Sequence, residues 1–420
     1  MRELLKKPQA KYWALGFAVL VGILFRLIWA TDMEYKKDEW TMFTATQEIG
    51  ITKPWPWLGM ESGVGTLNPG MSMWLFVAIA RVFQATDPVG LVRGVQTLNC
   101  LALIILAVFA AKWSSKSEKT RETWMWGAAI AALNPLAVLT ERKIWAQSAL
   151  PLFSMIALIG YLKRNQRSYA FVWGLLGACL GQVHMPGFFF SLVLLIWAIA
   201  FDPERKKTRW GAYLLGSILG ALPLLPWLKY MHDNPSSSPG FREPLSLQYW
   251  VLWLSDAIGA GLDYSLRRDF KDFLFFPYLG ERPTYLVGVL HILAIIIGLV
   301  IFYGAIRRFF SQKGQKIRTL LGMTSPEALV LSASFFGYGL LMTLIGVLIH
   351  RHYLILTFPL EFLWLACLGT YQRSERLGRV ALLSMCVVQA MISLSFLSYI
   401  HVRGGSPNGD YGVAYSHQKR

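Results

Sequence analysis

Asp38 and Glu39 stand side by side in the stretch TDMEYKKDEWTMFTATQEIG, directly after Lys36 and Lys37. A carboxylate next to cations stays ionised and can take a proton from a weak acid. The same two residues also suit a solvated loop, so spacing alone does not make either one a base. Potential cations come in three tight groups: Arg142-Lys143, His184 in the run His184-Met185-Pro186, and His350-Arg351-His352. Each can hold an anion, arginine with two parallel donors and lysine or histidine as a point charge. Each equally suits a blander role, as a headgroup contact, a satisfied core histidine or a cap on a helix C-terminus.

The chain that must position these groups is 420 residues long, 55% hydrophobic and 15% charged. A soluble protein carries roughly 25% charged residues, so the composition excludes three soluble domains and a disordered or cysteine-stapled chain. The four cysteines (Cys100, Cys179, Cys367, Cys386) lie inside apolar runs, with no CxxC spacing, and read as small packing residues. Eleven stretches are apolar enough to span a bilayer, at 12–31, 89–111, 124–140, 146–162, 169–183, 187–201, 211–228, 284–303, 326–349, 353–371 and 379–400. The fold class expected is an all-α polytopic membrane protein of about 11 transmembrane helices, within a range of roughly 10–13. A twelfth run, 70–84, is short and is expected to lie in the interface.

With that assignment, about one residue in three is Lys or Arg in the short loops on one side, against about one in nine on the other. The N-terminus is therefore expected inside, and the C-terminus outside, of a plasma or inner membrane. This asymmetry absorbs most of the +17 net charge, so nucleic acid is not expected as a partner. The first span is longer than a signal-peptide core and lacks a small-residue cleavage site, so it is expected to stay. One transmembrane domain, 1–400, carries two long external segments, 32–88 and 229–283, and the external tail is 401–420. Function is expected on the side with the long loops.

In the first external segment, 38–49 fits a short amphipathic helix with Trp40, Phe43 and Ile49 apolar and Glu39, Thr46 and Gln47 polar. In the second, PSSSPG precedes an apolar stretch with Tyr249, Trp250 and Trp253, expected as an interfacial helix or lid. The tail, with Gly404-Gly405 and Asn408-Gly409, is either disordered or packed over the site. Inside the spans, Arg26 is expected to snorkel outward, and Glu361 reads either as an ion-pair partner or as a cavity residue.

The ordered set Asp38-Glu39-Trp40, Thr66-Leu67-Asn68-Pro69-Gly70, Arg142 with Gln147, His184-Met185-Pro186 and His352-Tyr353-Leu354-Ile355 resembles the GT-C superfamily of integral-membrane glycosyltransferases. Within it, the protein O-mannosyltransferase and aminoarabinose-transferase branch is the nearer pattern, matched in order over about residues 10–370. Three positions depart from that pattern: Asn68 and His184 stand where the family has lysine, and Gln147 where it has aspartate.

The resemblance implies a polyprenyl-phosphate monosaccharide as donor and no firm cofactor. It implies Asp38, with Glu39, as the catalytic carboxylates, Asp38 taking the proton of an acceptor hydroxyl during an inverting displacement. Arg142, Lys143, His184, His350, Arg351 and His352 would stabilise the leaving phosphate. Glu48, Tyr264, Arg267 and Tyr353 would support the acceptor, which could be a protein, a lipid or a glycan. Clustered acids could hold a divalent metal, which the displacement itself does not require. Two other classes stay open: a lipid-linked polysaccharide polymerase or ligase, and a transporter or flippase, the latter weakened by the lack of internal repeats and of mid-membrane charge. Oligomeric state leaves no trace in the sequence.

Overall fold

The computed structural model describes residues 8–61, 66–114, 117–234, 245–311, 316–346 and 348–418. The PSSSPG stretch lies outside them. The first part of the chain forms α1 (Pro8–Leu27), α2 (Lys37–Glu48), α3 (Met71–Val82), α4 (Pro88–Val108), α5 (Glu118–Leu133), α6 (Pro135–Thr140), α7 (Leu150–Leu162), α8 (Arg167–Val183), α9 (Pro186–Phe201) and α10 (Trp210–Ala221). It continues as α11 (Leu225–Asp233), α12 (Gln248–Ile258), α13 (Asp263–Leu266), α14 (Phe270–Phe275), α15 (Leu286–Ser311), α16 (Lys316–Leu320), α17 (Pro326–Ser332), α18 (Gly339–Ile345), α19 (Leu360–Thr370) and α20 (Glu375–Arg403). Strand is confined to three short antiparallel pairs among the described residues.

Five described helices are long and apolar enough to cross a bilayer: Pro88–Trp113, Trp210–Asp233, Leu286–Phe310, Pro326–Ile345 and Glu375–Arg403. A sixth span is added if Arg351–Thr357 and Leu360–Thr370, bent by 74° at their junction, act as one. By length and composition this is five or six full spans, where the sequence suggests about eleven. Part of the difference comes from breaks. The stretch 124–140 is cut at Asn134-Pro135, where the Asn134 side chain accepts from the Leu136 and Ala137 amides and caps α6. The run 353–371 is cut before Leu360. The runs in α7 and α9 form shorter apolar helices.

One large core joins α1, α4, α5, α7, α9, α15, α19 and α20. Small residues allow the closest approaches. Along α8 and α10, Gly174, Gly216 and Gly220 each lie where a Cβ would run into the facing backbone, so the two helices pack along their length.

One expectation changes. Arg26 does not snorkel: it is fully buried, its Nε 2.5 Å from Glu141, and its Nη1 donates to Gly22 O and Ala132 O at 3.0 and 2.8 Å. A charge in the bundle interior is tolerable only when paired and hydrogen-bonded, and Glu141 provides that. In the apolar stretch of the second long segment, Tyr249 and Trp253 of α12 are fully buried against Tyr338, Phe335 and Trp364, while Val251 of the same helix is 61% exposed. The helix expected over 38–49 forms as α2: Ile49 is buried and Phe43 packs partly buried against the core, Glu39, Met42, Ala45 and Thr46 also face inward, and Trp40 is 57% exposed. The four cysteines are free thiols, as their spacing suggests.

Candidate active site

The chain leaves α1 through an extended stretch before α2. There Glu34, fully buried, lies between two ammonium groups: Lys36 Nζ at 2.6 Å, and Lys143, whose Nζ is in direct contact with the other carboxylate oxygen. Burial alone would lower both lysines. The Glu34 charge and hydrogen bond, with Asp410 for Lys36 and with Tyr264 and Glu39 for Lys143, instead raise them above the ordinary lysine value.

Glu39 faces the same cluster. Its Oε2 accepts from the Lys36 backbone amide at 2.9 Å, satisfying a free donor at the start of α2. Its Oε1 is buried without a hydrogen-bond partner. Burial and the neighbouring Glu34 charge raise its pKa to about 7, against the opposing pull of Lys143. Asp38, one residue earlier, is exposed, and its side chain hydrogen-bonds to none of the described residues.

The 141–145 connection carries the cluster inward. Lys143 Nζ sits 4.4 Å above the Trp145 ring, a cation–π contact. The Trp145 ring meets His352 edge-on at 5.8 Å. His352 stacks on His350 at 5.3 Å and lies 5.5 Å from His184, and all three imidazoles surround the Tyr353 ring at 4.9–5.6 Å. His184 Nε2 and His352 Nδ1 are buried and unpartnered. Burial, with His350 nearby, pushes His184 down to about 3, and burial also lowers His350. Imidazoles held toward the neutral form, two of them with an unpartnered buried ring nitrogen, beside a buried lysine, can receive an anion and gain protons from solvent as it binds.

The structure thus brings together Glu39, Lys143, His184, His350, His352 and Tyr353, with Tyr264 close enough to Lys143 and Glu34 to feel both charges. It leaves other expected members outside. The buried Arg142 guanidinium is spent on the C-terminal carbonyls of α1 and the residues after it: Phe25, Arg26 and Trp29 at 2.6, 3.0 and 3.0 Å. It keeps those orphan carbonyls satisfied, and burial lowers it to about 10. Arg351 pairs with Asp256 and donates to Ser255 Oγ at 3.0 Å. Burial lifts Asp256 to about 6 although Arg351 opposes it. Glu48 bridges to Lys53 at 2.7 Å on the surface, and Arg267 is exposed. Among the described residues, no three His, Cys, Asp or Glu side chains converge to hold a metal ion.

Sequence reasoning passed over Glu34. Its signal was Lys143, a lysine in a short connection between apolar runs, which needs a carboxylate if it turns inward.

No family model and no curated protein matches the chain. Among solved structures, it resembles the apo oligosaccharyltransferase of Archaeoglobus fulgidus at 14% identity and a TM-score of 0.50, covering 92% of this chain and 56% of that one. It also resembles the oligosaccharyltransferase AglB of the same organism in complex with an inhibitory peptide and a dolichol-phosphate, at 13% identity and a TM-score of 0.50, covering 93% and 56%. The chain spans just over half the length of these neighbours. The likeness is one of fold: this is a multi-pass, all-α membrane protein whose architecture is similar to that of these oligosaccharyltransferase structures. Neither neighbour belongs to the two branches that the motifs resemble.

Proposed function

We propose that this protein is a membrane glycosyltransferase that moves a sugar from a polyprenyl-phosphate donor to an acceptor hydroxyl on the external face of a plasma or inner membrane. The observation that carries this reading is the convergence, on a GT-C-like fold, of first-loop carboxylates with Lys143 and an unpartnered imidazole cluster. In the reaction, the acceptor oxygen attacks the anomeric carbon from the face opposite the phosphate. The glycosidic C–O bond to phosphate breaks as the new one forms, and the configuration inverts. A base must reach the acceptor proton, so access ranks before pKa. Asp38 is exposed and unencumbered, so it takes the proton. Glu39 is committed to the Lys36 amide and the charge cluster, so it positions α2. The leaving phosphate oxygens are received by His184, His350 and His352, with Lys143 behind them as a fixed positive charge.

The test is a transfer assay on purified protein with a panel of radiolabelled polyprenyl-phosphate monosaccharides, wild type beside Asp38→Asn. Release of polyprenyl phosphate by wild type alone is expected. Equal turnover by both proteins would remove Asp38 from the mechanism. A second reading, transfer of an oligosaccharide from a lipid-linked donor, is favoured by the oligosaccharyltransferase fold. It replaces the first if only lipid-diphosphate oligosaccharides are consumed.

A further inference from the structure

The stretch that joins α1 to α2 takes its backbone hydrogen bonds from the far end of the chain. Tyr411 Oη donates to Asp32 O at 2.5 Å, the Tyr415 amide to Met33 O at 3.0 Å, and Gln418 Nε2 to Tyr35 O at 2.6 Å. Glu34 and Ala414 form an antiparallel bridge. The Asp32 carboxylate accepts from Ser416 Oγ at 2.7 Å and meets His401 Nδ1 at 2.6 Å, and the His401 ring stacks on Trp29 at 4.3 Å.

The C-terminal segment is in turn fastened elsewhere. Gly404 ends α20 at φ 69 and Gly405 follows at φ 117, backbone angles that a side chain would strain. This turn lets Gly405–Ser406 pair with Gly412–Val413 as a hairpin. Ser406 Oγ and the Asn408 amide and side chain all donate to Asp269 at 2.8–3.0 Å, and the Tyr411 amide donates to Ser265 O at 2.9 Å. The hairpin therefore ties the first external segment to the second. Its contact nearest the carboxylates is at Asp410: Lys36 Nζ donates to the Asp410 carbonyl and lies 3.7 Å from Oδ1, while its other side holds Glu34. Lys36 is the N-cap residue of α2, two positions before Asp38.

The geometry points to a working role for this hairpin: residues 404–418 are a wall of the transfer site, and Asp410 is a positioning residue that holds Lys36, and with it the start of α2, where Asp38 meets the acceptor. The inference rests on the glycosyl-transfer reading above. A fixed backbone at this point matters because small misplacements of a reacting group cost orders of magnitude in rate.

Two readouts test it on the full-length purified protein. Asp410→Asn keeps the carbonyl contact and the hairpin's own hydrogen bonds but removes the charge facing Lys36. Tyr411→Phe removes the donor to Asp32 O. Asp410→Asn is expected to lower kcat by roughly tenfold with donor KM and Tm unchanged, and Asp410→Glu to recover most of the loss. Both Asp410→Asn and Tyr411→Phe are expected to speed amide hydrogen exchange in 33–40 and to leave α15 and α20 unchanged. Unaltered exchange in 33–40 in both variants overturns the proposal, as does an unaltered kcat for Asp410→Asn where wild type is active. If wild type transfers nothing from any polyprenyl-phosphate sugar, the functional reading fails, and the exchange comparison still decides whether the hairpin holds this segment.

Discussion

Glu39 gives the sharpest test of the site's electrostatics. Its side chain is fully buried, its pKa is raised from 4.5 to about 7, and the causes are burial and the Glu34 charge. A carboxyl whose folded pKa lies above its unfolded value binds its proton more tightly in the folded state. Its contribution is therefore fully present below about pH 4.5 and is lost as pH rises through 7. One pKa unit corresponds to 1.36 kcal/mol, so the loss between pH 4.5 and 8.5 is on the order of 3 kcal/mol. Glu39→Gln removes the titration and keeps an oxygen to accept from the Lys36 amide. The buried amide it introduces adds a constant cost at every pH, so the quantity to read is the slope. The assay is unfolding of both proteins in one detergent across that pH range. The wild type should lose stability relative to Glu39→Gln as pH rises, which cancels the contributions of Asp256 and the histidines common to both. A difference that does not change with pH would refute the reasoning: it would mean that Lys36 and Lys143 keep Glu39 ionised throughout.

Other perturbations follow from the same geometry. Asp38→Asn should lower kcat by roughly 10²–10⁴-fold with Tm unchanged, since its exposed side chain packs on nothing, and Asp38→Glu should retain less activity than wild type; a stability loss instead would make Asp38 structural. Donor binding should take up protons, because the imidazoles are neutral when free and an anion raises their pKa. Affinity for polyprenyl phosphate should then tighten from pH 8 to pH 6 and lose that dependence in His184→Gln, and a flat wild-type profile counts against the anion site. Arg26→Met leaves Glu141 buried without its cation and should cost about 3–5 kcal/mol, much of it recovered in the double variant with Glu141→Leu; additive losses would show that the pair is not coupled.

Much of the architecture can be read directly from the chain, because it depends on local composition. Long apolar runs mark α4, α15 and α20, and the short helix after α1 is visible at 38–49. Adjacency also singles out Asp38 and Glu39. Periodicity does not say which of them turns inward, since neighbours on a helix are about 100° apart and of the apolar marks Phe43 packs against the core while Trp40 is exposed. Tertiary contacts decide that: Glu39 is drawn in by the Lys36 amide and by Lys143, and Trp40 is left out. The same holds for Arg142 and Lys143, consecutive in sequence, of which one satisfies α1 carbonyls and the other meets Glu34.

The limits of the sequence follow from distance along the chain. Composition and hydropathy determine a multi-span membrane protein, its charge asymmetry and its candidate groups, because a bilayer constrains each segment separately. Which groups meet is decided by pairs far apart in sequence: Arg26 with Glu141, Glu34 with Lys143, Asp256 with Arg351, and Lys36 with Asp410 at a separation of 374 residues. A buried charge must find an opposite charge wherever packing places one, and only the folded chain specifies where that is.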